Sequence, residues 1–244
     1  MNTAQKPPEQ RAGGPGLVRK AFVTSIPVMA GYIVLGIGFG ILLRDAGYGV
    51  LWAFAMSALI YAGSMQYVGV SLLTGGASVI TAALTTVMVN ARHLFYSISM
   101  IDRYRDAGRY KPYLIFALTD ETYSLLCGGE TPADGDPDLY RFLVSFFDQC
   151  YWIAGSVLGS VLGAALPFDT TGIEFSMTAL FVASFTQQWL ATRRRLPAVV
   201  GLAGALVCLV IFGPENFLIP SMLVITAVLT LLRPRLAAGK EAGK

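Results

Sequence analysis

Long apolar runs separated by short polar punctuation dominate this chain. The runs extend from about 21 to 43, 50 to 73, 77 to 100, 110 to 127, 140 to 166, 173 to 190, 197 to 213 and 217 to 232. Most come close to the ~20 residues a helix needs to cross a bilayer. The pattern predicts an all-α, polytopic membrane helix bundle of about 7–8 hydrophobic helices. Within the runs, helical spacing sorts residues into faces. Thr86, Asn90, His93 and Ser97 fall on one stripe of the third run, and Ser57, Tyr61, Ser64 and Val68 repeat that spacing on the second. A polar stripe does not favourably face lipid, so each is expected to face the bundle interior or a wet cavity, whether for interhelical hydrogen bonding or for a solute.

Basic residues set the expected orientation. Eight simple crossings put Arg19-Lys20, Arg193-Arg194-Arg195 and the tail with Arg233, Arg235, Lys240 and Lys244 on the cytoplasmic side. The same count puts Arg103, Arg105, Arg109 and Lys111 outside. Either the rule fails at that loop, or the third and fourth runs are partly broken or re-entrant, which is tolerated where irregular backbone is buried or lines a cavity.

Composition agrees with a membrane setting: 55% of residues are hydrophobic and 14% charged, too few charges to cover a soluble protein of this size. Residues 1–20 are polar and rich in Pro and Gly and read as a disordered cytoplasmic tail. Residues 21–232 read as one transporter domain with repeat-like halves at about 21–127 and 140–232, followed by a cytoplasmic tail at 233–244. The first run is too long for a signal-peptide core and lacks a small-x-small cleavage site, so a retained span is expected. Cys127, Cys150 and Cys208 are scattered, and with one histidine they give no metal-ligand spacing and no disulfide framework. No metal or other cofactor is expected. No basic patch interleaved with aromatics supports nucleic-acid binding.

The charged residues inside apolar runs carry the candidate chemistry. A charge at the centre of a membrane helix costs roughly 2.5–3.5 kcal/mol on insertion scales, so such residues usually line a pathway. Asn90-Ala91-Arg92-His93 and Thr119-Asp120-Glu121-Thr122 are the two stretches concerned. If the third helix ends near 91, Arg92 snorkels to the interface; if it continues to about 100, Arg92 must pair, with Asp120 or Glu121 the nearest candidate. The two acids point about 100° apart on a helix and are not expected to share a partner. Asp148 is a further acid within an apolar run. Gly36-x-x-x-Gly40 and Gly155-x-x-x-Gly159-x-x-x-Gly163 allow helix backbones to approach, either inside the bundle or against a partner subunit. A faint two-fold repeat is legible: Leu35-Gly36 and Gly40 followed by Ala62-Gly63-Ser64-Met65-Gln66 parallels Leu158-Gly159 and Gly163 followed by Ala183-Ser184-Phe185-Thr186-Gln187.

Ile26-Pro27 through Gly31-Tyr32, Leu35-Gly36 and Phe39-Gly40, then Tyr61-Ala62-Gly63-Ser64-Met65-Gln66, Val89-Asn90-Ala91-Arg92-His93-Leu94-Phe95-Tyr96 and Leu118-Thr119-Asp120-Glu121-Thr122-Tyr123 together resemble the AzlC family. Its members are large subunits of bacterial branched-chain amino acid exporters, and the resemblance covers roughly residues 20–235. It implies a multi-pass protein of the bacterial inner membrane that exports valine, leucine, isoleucine or analogues. It also implies a small AzlD-type membrane subunit as partner. The acidic loop around Asp134, Asp136 and Asp138 looks individual to this chain.

The expectation is therefore secondary export driven by the proton gradient. One proton moving down about 100 mV yields about 2.3 kcal/mol, against about 1.4 kcal/mol for a tenfold substrate gradient. Tyr61, Ser64, Gln66, Asn90 and Gln187 are expected to bind substrate. Asp120 or Glu121 is expected to carry the proton, with His93 as relay because imidazole ordinarily titrates near neutrality, and Arg92 as their ion-pair partner. Rival readings are a transporter for another small solute, a passive channel, and an intramembrane serine hydrolase using Ser64 with His93.

Overall fold

The computed structural model describes residues 15–128, 135–165 and 195–241, with scattered positions between 172 and 189. Among the described residues every regular element is helical. The helices are α1 (Pro15–Asp45), α2 (Val50–Leu59), α3 (Gly63–Thr74), α4 (Val79–Tyr104), α5 (Lys111–Phe116), α6 (Asp120–Gly128), α7 (Pro137–Ala165), α8 (Leu196–Asn216) and α9 (Leu218–Glu241), with a 3₁₀ turn at Gly108–Tyr110 before α5. The helix starts at Pro15, ahead of the first apolar run, and α9 continues past residue 232. Among the described residues three helices are long and apolar enough to cross a membrane: Gly16–Asp45, Pro137–Ala165 and Leu196–Pro214.

Local chemistry explains where these helices begin and end. Asp136 caps α7, its Oδ1 accepting from the backbone N–H groups of Asp138 at 2.9 Å and Leu139 at 3.3 Å, with Pro137 at the first helical position. Ser78 caps α4 through the N–H of Thr81 at 3.1 Å. Gly47 ends α1, where Tyr48 N–H reaches the Leu43 carbonyl at 3.1 Å; its φ of +90° is the left-handed conformation this C-cap requires. Pro27 lies inside α1 without ending it, as neighbouring groups permit in membrane helices.

The chain divides into two compact units, Met1–Ala77 with His93–Ser176, and Ser78–Arg92 with Met177–Lys244. The long helix α4 contributes its first part to the second unit and its last part to the first.

In the first unit, α1 and α7 run parallel and in close contact. Gly36 and Gly40 face Gly155, Ser156 and Gly159, so the glycine spacings meet each other inside one unit. Two interrupted segments flank this pair. Segment α2–α3 turns at Ile60–Ala62, with Gln66 opposite Ser57 and Gly69 beside Met56. Segment α5–α6 turns at Ala117–Thr119. Tyr110, just before α5, packs 5.1 Å from Phe142, while Arg103 donates to the carbonyl of Leu126 near the end of α6 and Arg141 donates to the Arg103 carbonyl at 3.1 Å. Both ends of α5–α6 therefore lie at the beginning of α7, and the segment is a hairpin that returns to its starting side. A cluster of Leu17, Ala21, Met100, Tyr104, Leu114, Leu126, Tyr140 and Val144 packs that end.

This arrangement corrects two expectations. The third run is the unbroken helix α4, and the interruptions fall on the second and fourth runs. The continuous stripe Ser57, Tyr61, Ser64, Val68 does not exist, because the turn at 60–62 resets the helical phase; Gln66, not Ser64, is the fully buried polar residue of α3.

In the second unit α8 packs against α9, with Gly204 beside Ile225. Gly213 adopts φ +74° and kinks α8 just before Pro214. Large apolar side chains such as Val210 and Ile211 are exposed, as on α4 are Ile80, Leu84 and Val87. Apolar faces turned outward are what a lipid-embedded helix presents.

Candidate functional site

The tips of the two hairpins meet in the middle of the first unit. Tyr61, at the α2–α3 turn, packs 6.3 Å from Phe116 at the end of α5. Gln149 on α7 joins them: its side-chain N–H donates to the Ala58 carbonyl at 3.0 Å and its carbonyl accepts from the Tyr113 hydroxyl at 2.6 Å. The first of these bonds satisfies one of the carbonyls that the end of α2 leaves without a helical partner. Tyr61 has φ +45°, a conformation that costs a bulky residue roughly 1–2 kcal/mol and is often retained at functional sites. Its hydroxyl is buried with no hydrogen-bond partner.

Trp152 supports the first hairpin. Its indole N–H donates to Gln66 Oε1 at 2.9 Å, and the Gln66 amide donates to Ser57 Oγ at 3.2 Å. Its ring stacks on Phe39 at 6.2 Å, meets Tyr32 edge-on at 5.4 Å, and lies against Gly63, where an added Cβ would sit 3.0 Å from it. Gly63 is thus the small residue that lets the first turn of α3 approach the indole.

The second hairpin turns on Thr119, which caps α6 by accepting from the Thr122 N–H at 3.3 Å. Its hydroxyl also pairs with the Tyr32 hydroxyl at 2.6 Å and donates to Thr122 Oγ1 at 3.1 Å. Thr122 in turn donates to Asp148 Oδ2 at 2.7 Å, and Tyr32 donates to Glu121 Oε2 at 2.8 Å. Asp148 is fully buried, and its Oδ1 has no hydrogen-bond partner. Removing the cap should be measurable: Thr119→Val is expected to cost about 1 kcal/mol, or a thermal midpoint lower by about 2–4 °C, in detergent-solubilised protein. Thr119→Ser should restore it, and an unchanged midpoint in the valine variant would refute the capping role.

The residues expected from sequence fall into three groups. Tyr61, Ser64 and Gln66 lie at the first turn, and Asp120 and Glu121 open α6 at the second. His93 Nε2 lies 3.9 Å from Asp120 Oδ1, an electrostatic contact longer than a hydrogen bond, and Tyr32 donates to Glu121. Asn90 and Arg92 belong to the part of α4 in the second unit. Gln187, with most of the second half of the proposed repeat, lies outside the described residues.

Asp148 was legible only as one acid in an apolar run, and Gln149, Trp152, Tyr32 and Thr122 carried no assigned role. The missed signal was periodicity on α7: Ser145, Asp148, Gln149, Trp152, Ser156 and Ser160 recur at three- and four-residue steps among the glycines, and all are buried.

Residues 27–166 match the AzlC protein family. The chain is 41% identical over 215 residues, 88% of its length and 85% of the relative's, to the branched-chain amino acid transport protein AzlC of Bacillus subtilis. The chain belongs to the AzlC family. It is also 39% identical to an uncharacterized membrane protein of Haemophilus influenzae, covering 93% of both chains, and 27% identical to the inner membrane protein YgaZ of Escherichia coli, covering 86% of this chain and 88% of that one. No solved structure matches. The AzlC match includes both hairpins and α7, so the meeting point of the two turns lies within the family's region. With its outward apolar faces and spanning helices, this AzlC-family chain is a multi-pass membrane protein.

Proposed function

We propose that this AzlC-family protein is a secondary transporter that exports branched-chain amino acids across the bacterial cytoplasmic membrane, driven by the proton gradient and working with a small AzlD-type membrane subunit. The observation that carries this reading is the meeting of two interrupted helices over a buried carboxylate. Half-helix ends near the centre of a membrane protein leave main-chain groups free to bind a solute, and the Bacillus relative's name supplies the substrate class. The first turn of α3 starts without a side-chain cap, so its N–H groups suit the substrate carboxylate, with Ser64 beside them. Asp148 Oδ1 suits the ammonium. Tyr61, Phe116 and Trp152 offer the apolar and aromatic surface for a branched side chain, and Gln66 positions the turn. His93, Asp120 and Glu121 are proposed to carry or balance the coupling charge.

The same reading orients the protein. Arg19, Lys20, Arg103, Arg105, Arg109 and Lys111 gather at the end of the first unit from which α5–α6 enters, and the positive-inside rule assigns that end to the cytoplasm. The hairpin α2–α3 then enters from the opposite face. The basic loop that defied eight simple crossings obeys the rule once both hairpins are re-entrant.

Counterflow of valine, leucine and isoleucine in proteoliposomes, with and without the partner subunit, tests the proposal. Saturable exchange that a pH gradient drives uphill is the expected result. Linear, non-saturating flux would replace the transporter by a channel, and saturable exchange of other solutes alone would overturn the substrate.

A further inference from the structure

Glu121 and Asp148 are the two ends of one continuous chain of hydroxyl groups. Between them lie four oxygen–oxygen contacts: Glu121 to Tyr32 at 2.8 Å, Tyr32 to Thr119 at 2.6 Å, Thr119 to Thr122 at 3.1 Å and Thr122 to Asp148 at 2.7 Å. Each is within hydrogen-bond distance, and each needs one proton. The three hydroxyls supply three. With both carboxyls ionised, one contact holds two lone pairs and no proton; with both protonated, five protons compete for four contacts. Only one added proton, on either acid, fills every contact. Thr119 Oγ1 also accepts the Thr122 N–H and keeps a second lone pair, so each of the three hydroxyls can accept one O–H and donate one in either direction.

We propose that Glu121 and Asp148 share a single proton through Tyr32, Thr119 and Thr122, and that this relay carries the coupling proton of the transporter. The transfer is balanced. Glu121 gives its proton to Tyr32, whose own proton passes to Thr119, that of Thr119 to Thr122 and that of Thr122 to Asp148 Oδ2. Every hydroxyl keeps one proton, and the negative charge moves from Asp148 to Glu121. The relay joins a fully buried acid to a half-buried one. The other titratable groups facing these acids are Tyr61 at the first turn, Tyr113 on α5 and Tyr151 on α7. The His93–Asp120 pair adjoins Glu121 on the α6 side. The coupling role rests on the proton-driven reading above; the sharing of one proton does not.

Infrared absorption of the purified protein in lipid nanodiscs reads the relay directly. At neutral pH the wild type is expected to show the C=O band of one protonated carboxyl. Asp148→Asn and Glu121→Gln should each abolish that band, because the amide N–H supplies the fourth proton and leaves the remaining acid ionised. A band that persists in either variant, or none in the wild type, overturns the shared proton. Thr122→Val cuts the chain and serves if an acid variant fails to fold: it should shift or remove the band, with Thr122→Ser restoring it, and an unaltered band would refute the relay. Transport separates the two halves of the proposal. Thr122→Val should retain counterflow and lose accumulation driven by a pH gradient. If the wild type itself shows no pH-driven accumulation while the band behaves as expected, the relay stands and its coupling role falls.

Discussion

Gly159→Leu is expected to abolish recovery of folded, monodisperse protein, and Gly40→Leu to do the same. A Cβ added at Gly159 would strike the carbonyl oxygen of Ile37 on the backbone of α1, and one added at Gly40 the carbonyl of Ser156 on α7. At Gly36 the nearest atom would be Ser156 N at 2.9 Å, and at Gly155 the Ile33 carbonyl oxygen at 2.7 Å. Overfilling a packed core usually costs about 1–3 kcal/mol because side chains can shift. Here the obstacles are main-chain atoms of a rigid helix, so the two helices must separate. That separation draws Tyr32 and Phe39 on α1 away from Asp148 and Trp152 on α7, and the site dissolves with the packing. Gly201→Ala is the control: nothing lies within 4 Å of its added methyl group, and alanine is the better helix former by about 1 kcal/mol. Fluorescence-detected size exclusion of tagged variants measures all three. Recovery of Gly159→Leu at the wild-type level would mean that α1 and α7 do not pack through their glycines.

The same contact marks how much could be read from the sequence. The glycine spacings on α1 and α7 announced a close helix contact but not its partner, because small residues specify that a backbone approaches without specifying which. Hydropathy located the helices for a simple reason: length and apolar content are local properties. It did not locate the interruptions. The stretch from about 50 to 73 reads as one apolar run, and the turn that divides it depends on Tyr61 being held at φ +45° by groups distant in sequence, among them Gln149 beneath Ala58. The family motifs did point there, since Tyr61-Ala62-Gly63 and Thr119-Asp120 each fall on a turn. Their charges alone led to an Arg–carboxylate scheme. The structure adds a tyrosine that donates to Glu121 and places His93 beside Asp120. Asp148 shows the limit most plainly. One acid at the centre of an apolar helix carries little information until Thr122, from a different segment, is seen to donate to it.

Trp152→Ala is expected to destabilise the protein by about 3 kcal/mol or more, in the range of large-to-small core substitutions, and to end transport. The indole is almost fully buried and is shared by two helices besides its own: Phe39 and Tyr32 on α1, and Gly63 and Gln66 in the first turns of α3. Removing it opens a void beside the first hairpin and leaves Gln66 Oε1 without its donor. Trp152→Phe separates these effects. It keeps most of the aromatic packing but not the N–H, so its expected cost is that of one unsatisfied buried acceptor, about 1–3 kcal/mol. In the Trp152→Phe background Gln66→Met should then be nearly neutral, since no buried carbonyl remains to satisfy, whereas Gln66→Met alone strands the indole N–H. Thermal unfolding of the four proteins in one detergent gives the coupling between the two residues. Strong coupling with a severe alanine defect identifies Trp152 as the post on which the first hairpin is hung. Additive effects would mean that the hairpin is held elsewhere, by Gln149 at the end of α2 and by the donation of Tyr67 to the Leu35 carbonyl at 2.7 Å.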